Sequence, residues 1–299
     1  MVARRVVGGS LDGRSQTFPF ATQRLPLVDG TVAYFDHGEG PAVLFVHGLV
    51  GDFTHFEHVA IRLADQGYRV IGLDLPGCGE SHKRRTQHSI GSYARDVLAL
   101  LDALGIKEAS FVGHSAGGAV VAEVAHRAPS RVKRLALLAS AGLRRYPRGL
   151  GSLARVTLRP WLLERTLERL ALPLLDMVLV EDNQYTRKFV ADALNRPSQP
   201  GSAEMARVMA DLVPELVRPT VLERAHRFEP PVLVLWGDAD GLVPASSVAE
   251  LQSTLRKPTF VELKGCGHMP MIEQPELTTK ALLSFLEPVS VPGRQGQAA

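Results

Sequence analysis

Phe111-Val112-Gly113-His114-Ser115-Ala116-Gly117-Gly118-Ala119-Val120 is an apolar run that breaks off in Gly-x-Ser-x-Gly and continues into small residues at helical spacing. Glycines on both sides of a serine permit a backbone turn too tight for a side chain to fit. Such a turn lifts the serine hydroxyl above the end of a strand, where a substrate can reach it. The rest of the chain is read for the sheet that holds this turn, the groups that activate it, and whatever covers it.

Upstream, Arg24 to Val28 and Thr31 to Phe35 are strand-like and joined at Asp29-Gly30, a two-residue hairpin signal. Ala42 to Val46 is a continuous apolar run, the pattern of a strand buried on both faces, and leads into His47-Gly48-Leu49-Val50-Gly51. A helix over about 54–66 ends at Gly67, and Arg69 to Asp74 forms the next strand. Val97, Leu98, Leu100, Leu101 and Leu104 recur at helical spacing in a helix over 92–104. Ala109 to Val112 feeds the turn, a helix leaves it over 116–127, and Val132 to Leu138 is a further strand. Strands alternating with helices of this length predict βαβ units and a parallel sheet, opened by an antiparallel hairpin.

The rhythm changes after Gly142. Up to about 229 the chain is rich in Leu, Arg and Pro, with helical stretches near 161–171, 184–194 and 202–213 that the prolines are expected to cut short. Strand patterns return at Pro231 to Trp236 and Thr259 to Leu263, and a closing helix spans 275–286.

A serine hydroxyl is a poor nucleophile at neutral pH and needs a base within hydrogen-bond reach, itself oriented by a third group. Open α/β sheets carry such groups on loops at the C-terminal ends of strands. The loop after Trp236 offers Asp238 and Asp240, and the loop after Leu263 offers His268. Serine, acid, base is a chain order used for acyl transfer on sheets of this kind.

On these residues the chain resembles the α/β-hydrolase superfamily, in its cap-bearing branch of serine esterases, lipases and C–C hydrolases. The resemblance covers about residues 24–286 and rests on four separated motifs: His47-Gly48 with Gly51, Asp74-Leu75-Pro76-Gly77 with Gly79 and Ser81, Gly113 to Gly117, and Gly265 to His268. It implies a mostly parallel eight-stranded sheet with helices on both faces and an inserted helical cap. The implied divisions are an N-terminal extension over 1–22, a core over 23–142 and 230–288, a helical cap over 143–229, and a C-terminal tail over 289–299. The family spacing of Gly-x-x-Asp with a proline four residues later selects Asp240, with Pro244 following, over Asp238. Ser115, Asp240 and His268 are then the implied catalytic residues, and the backbone N–H groups of Leu49 and Ala116 the implied oxyanion donors. His47 is implied to brace the oxyanion loop, and Asp74 to hydrogen-bond loop backbone.

Composition narrows the partners. The 299 residues, 45% hydrophobic, are enough to bury roughly three-quarters of the unfolded surface. A net charge of +3 with no basic block longer than Lys83-Arg84-Arg85 does not favour nucleic acid, and that triplet is expected in a solvated loop. Two cysteines, Cys78 and Cys266, are too few for a disulfide framework and are expected as space-filling free thiols. The N-terminus reads as no signal peptide, and no stretch carries the roughly 18 uncharged apolar residues of a transmembrane helix, so the expectation is a cytoplasmic protein with no integral membrane association.

Other residues are expected to be structural. His114 is read as a packing or pocket-wall residue, His55 and His58 as one solvated helix face rather than metal ligands, and Trp161 as a possible liner of an acyl pocket. The expected activity is cleavage of carboxylic esters with a hydrophobic acyl or aryl group, through an acyl-enzyme on Ser115, with no cofactor or metal. C–C hydrolysis of a vinylogous diketone, cofactor-free haloperoxidase or perhydrolase chemistry, and a ligand receptor on a hydrolase fold are the alternatives. A serine at 115 argues against dehalogenase and epoxide-hydrolase chemistry, which the resemblance associates with a carboxylate there.

Overall fold

The computed structural model describes residues 18–84, 86–195, 201–256 and 258–287. Residues 1–17 of the expected extension, Arg85 of the basic triplet and the expected tail over 289–299 lie outside the described residues. Eight strands form one sheet: β1 (Thr22–Leu27), β2 (Gly30–His37), β3 (Ala42–Val46), β4 (Arg69–Leu73), β5 (Ala109–His114), β6 (Val132–Leu138), β7 (Val232–Gly237) and β8 (Thr259–Leu263). Their order is β1-β2-β4-β3-β5-β6-β7-β8. β2 is antiparallel to β1 and β4, and β3 to β8 are mutually parallel. The expected fold class is the observed one.

Strand order places the site. From β3 the chain crosses to β4 on one side, then returns to β5 on the other side of β3. Loops leaving β3 and β5 therefore diverge and open a crevice at their C-terminal ends, where open α/β sheets hold ligands. Both loops carry residues singled out above, Gly48-Leu49 and Ser115-Ala116.

Side-chain alternation explains why the central strands read as unbroken apolar runs. Leu44 and Val46 of β3 point into one core with Phe111, Leu135 and Leu137, whereas Val43 and Phe45 point into another with Val112, Ala136 and Leu138. Helices Ile90–Ala103 and Ala116–Arg127 cover the first face, and Glu57–Asp65 and Pro275–Phe285 the second. Ser89 caps its helix with a capping box to Ser92, so the helix begins at Ile90, two residues before the predicted start. Phe18 and Phe20 pack their rings against Phe35.

Between β6 and β7 lie helices Leu150–Thr157, Pro160–Val178, Gln184–Asn195, Ser202–Leu216 and Thr220–Arg224. Prolines end fewer of them than expected. Pro173 and Pro214 sit inside 19- and 15-residue helices. Burial of Leu163, Leu167 and Ala206 between these two helices offsets the hydrogen bonds those prolines remove. Pro160, at a first helical turn, lacks only an N–H that would have had no partner there. Among the described residues no helix is long and apolar enough to cross a membrane.

The basic triplet departs from the solvated reading. Lys83 is exposed, but Arg84 is 2% exposed and pairs with Asp96 and, at 3.0 Å, with Asp29. Sequence spacing could not foresee this, because both carboxylates come from other elements. Burial pushes the Asp96 carboxyl up to about 6, while Arg84 pulls it back down.

Candidate active site

The turn at Ser115 is a strained backbone. Ser115 has φ 50° and ψ −116°, outside the basins an L-residue prefers. The flanking glycines are required by contact. A Cβ on Gly113 would lie 2.5 Å from the Gly117 carbonyl oxygen, and one on Gly117 would lie 2.1 Å from that of Val46. Fixed this way, Ser115 ends β5 and caps helix Ala116–Arg127, whose first N–H groups have no intrahelical acceptor.

His268 and Asp240 meet from separate loops. The His268 Nδ1–H donates to Asp240 Oδ2 at 2.8 Å, and both residues are buried. Asp240 Oδ1 accepts the N–H groups of Leu242 and Val243 at 2.8 and 3.0 Å, which fixes the carboxylate plane. With Nδ1 donating, Nε2 keeps its lone pair and can act as a base. Asp238 turns away: it accepts the Gly265 N–H at 2.7 Å and lies 3.6 Å from Lys264. Of the two acids only Asp240 reaches the histidine.

His114 joins the serine turn to the histidine loop. Its Nε2–H donates to the His268 carbonyl at 2.8 Å, and the two rings lie 5.0 Å apart. The other nitrogen, Nδ1, is buried and has no hydrogen-bond partner, and a Cβ on Gly48 would come within 2.8 Å of it. Protonation there would bury a donor without an acceptor. Burial foremost, with His268 beside it, holds the imidazole well below the usual histidine value of 6.5.

That depression sets a pH dependence. A histidine that refuses a proton when folded contributes stability above its unfolded value and loses it as pH falls. Below about pH 6.5 stability is expected to drop by up to about 1.4 kcal/mol per unit. Urea midpoints measured from neutral to acid pH should show the decline, and His114→Gln, which keeps a donor to His268, should flatten it. An unchanged slope in the variant would contradict the role given to His114.

The loop after β3 is pinned beside the serine. A Cβ on Gly48 would lie 3.2 Å from Ser115 Cβ, so Leu49 follows at the edge of the turn. His47 braces it: Nδ1–H donates to the Gly48 carbonyl at 2.8 Å, and Nε2 accepts from the Leu75 N–H at 2.9 Å. Asp74 accepts the N–H groups of Phe53 and Glu80, both at 2.8 Å, and burial pushes its carboxyl up to about 7. Cys78 and Cys266 are buried and form no disulfide among the described residues, and burial pushes the Cys266 thiol up.

Sequence reasoning missed Glu273. This buried carboxylate accepts four backbone N–H groups, from Gly267, Met269, Val180 and Glu181, at 2.8–3.1 Å. It ties the His268 loop to the chain leaving helix Pro160–Val178, and the His268 N–H also donates to the Val178 carbonyl at 2.8 Å. The available signal was an acid directly after the apolar run Met269-Pro270-Met271-Ile272. A second buried group, His88 with Glu204 at 3.1 Å and Tyr93 at 2.9 Å, was also unread.

A cavity of about 200 Å³ lies beside the turn. Leu167, Leu174, Leu175, Phe189, Met205 and Met209 supply apolar wall from the helices between β6 and β7, and Leu49, Val50 and Ile272 supply the sheet side. It meets the site at Leu49; Ser115 and His268 are not on its wall. His55 and His58 correct the solvated reading. Both line this cavity, with their rings 5.2 Å from Phe189 and 4.0 Å from Tyr185, because helix Gln184–Asn195 covers their face. Burial lowers the His58 pKa. Among the described residues no three His, Cys, Asp or Glu are grouped to hold a metal ion. Trp161 is 58% exposed and absent from the wall, because it stands away from the buried stripe of its helix and stacks under Arg165 at 5.5 Å.

Residues 41–275 match the family model described as alpha/beta hydrolase fold. The chain is 34% identical over 284 residues to the dihydrolipoyllysine-residue acetyltransferase component of the acetoin cleaving system of Pseudomonas putida, covering 92% of this chain and 71% of that protein. Among solved structures it is similar to a thermophilic esterase from Thermogutta terrifontis (TM-score 0.75, 26% identity, 88% of this chain and 97% of that one). It is also similar to a membrane phospholipase A described as a bacterial virulence factor (TM-score 0.73, 27% identity, 95% and 87%).

Proposed function

Since the chain belongs to the alpha/beta hydrolase fold family, we propose that it is a serine hydrolase cleaving carboxylic esters of a small apolar acyl group. The observation that carries the reading is the 2.8 Å bond from His268 Nδ1 to Asp240, which leaves Nε2 as the base, on a loop that His114, the residue before Ser115, holds through the His268 carbonyl at 2.8 Å. Ser115 Oγ gives its proton to His268 Nε2 and bonds to the ester carbonyl carbon. The oxyanion is held by the N–H groups of Leu49 and Ala116, the latter at a helix N-terminus whose dipole favours negative charge. The carbon–oxygen bond to the alcohol then breaks as His268 protonates the leaving oxygen. Water, deprotonated by the same imidazole, attacks the acyl-enzyme and frees the acid and Ser115.

Support comes also from the acyl chemistry named for two similar proteins, an acetyltransferase component and an esterase. Residues 143–229 act as the cap, and the cavity they share with Leu49 receives the acyl group. Cys78 and Cys266, buried outside any disulfide among the described residues, suit the reducing cytoplasm.

The cavity size sets the expected substrate. In a p-nitrophenyl ester series kcat/KM should therefore pass through a maximum at short to medium acyl chains, which the walled cavity can enclose. A flat profile, or a rise continuing to long chains, would remove the cavity from the reading.

A further inference from the structure

Large exposed apolar side chains stand on two successive helices between β6 and β7. Leu162, Leu170, Leu174 and Met177 of helix Pro160–Val178 are each 40–47% exposed, and Leu153 and Val156 of the preceding helix 58% and 63%. At 3.6 residues per turn the first four fall within an arc of about 120°, whose edge at Leu174 overlaps the arc that buries Leu163, Leu167 and Leu175. The stripe thus flanks the buried face of the helix, and Leu162, Leu170 and Met177 stand on its solvent side. Soluble proteins rarely leave such a patch uncovered.

Charge identifies what covers it. Residues 144–169 hold seven arginines against two glutamates, whereas the whole chain carries only +3. Arg165 and Arg169 border the stripe on the same helix, Arg155 and Arg159 precede it, and all four are exposed. A second copy docked through this face by two-fold symmetry would set the cluster against itself. An anionic bilayer satisfies both parts: the leucines enter the headgroup boundary while the guanidiniums reach lipid phosphates.

We propose that helix Pro160–Val178 docks this protein on anionic membrane surfaces, lying in the interface without crossing it. Leu174 belongs to both the stripe and the cavity wall, so a docked molecule holds the cavity's edge against lipid. Docking itself does not rest on the catalytic reading.

Flotation of the full chain with vesicles tests it, using phosphatidylcholine alone and phosphatidylcholine mixed with phosphatidylglycerol. The protein is expected to float with the mixed vesicles and to be released by salt. R165E/R169E should weaken binding about 25-fold or more, roughly fivefold for each arginine lost. L170D/M177D should lose binding as well, with thermal unfolding as in the wild type. Ser115→Ala should bind as the wild type does, so a failed catalytic assignment and failed docking are told apart. Equal binding to both vesicles, no binding, variants that still bind, or a dimer that L170D/M177D dissociates would each overturn the proposal.

Discussion

Ser115→Ala is expected to lower ester turnover by about a million-fold, the scale on which removing a triad nucleophile acts. The protein should still fold. Alanine keeps the β-carbon that the turn already tolerates, so the strain at φ 50° is unchanged, and a surface-facing hydroxyl is lost at about 0.5 kcal/mol or less. Ser115→Gly separates the two effects. Glycine relieves the strained backbone, so this variant should be equally inactive yet more stable by about 1 kcal/mol. Turnover surviving in either variant, once trace contamination is excluded by titrating active sites, would remove Ser115 as nucleophile.

Asp240→Asn is expected to cost about 10⁴ in kcat with KM little changed. The asparagine would still accept from Leu242 and Val243 through its oxygen. Its NH2 would then face His268 Nδ1, which could accept only as the tautomer that places the proton on Nε2. The imidazole would be held, but as the wrong base. Asp238→Asn is the control. Asp238 accepts from Gly265 and never reaches His268, so its loss should change kcat by less than about tenfold, within the range of a surface substitution. If Asp238→Asn were the damaging change, the family spacing that selected Asp240 would have misled.

How much of this was legible depends on the range of the physics involved. The turn at Ser115 was readable because its pattern is short: Gly113 is required by Gly117 and Val121 within the same stretch, although Gly117 is required by the Val46 and His47 carbonyls from β3 and its loop. The sheet was readable because β3 and β5 are buried on both faces and so lose all polar alternation. Arg84 was not readable. Its burial depends on carboxylates 55 and 12 residues away, and a lysine–arginine triplet looks alike whether or not they arrive. His55 and His58 became cavity wall because a helix more than a hundred residues later lies over them. The unbroken helices at Pro173 and Pro214 have the same origin: partner helices supply the packing that offsets a missing hydrogen bond. Glu273 lay hidden for a related reason. An acid at the end of an apolar run is a weak sign of burial, and only the fold shows the four N–H groups it gathers around the His268 loop.

The central claim is that Ser115 is a nucleophile activated by the His268–Asp240 pair, and covalent capture tests it most directly. The full-length protein, treated with a fluorophosphonate and digested, should carry one phosphonyl adduct on the peptide containing Ser115, and the label should be nearly absent from His268→Ala protein. An adduct on another serine, or labelling indifferent to His268, would contradict it.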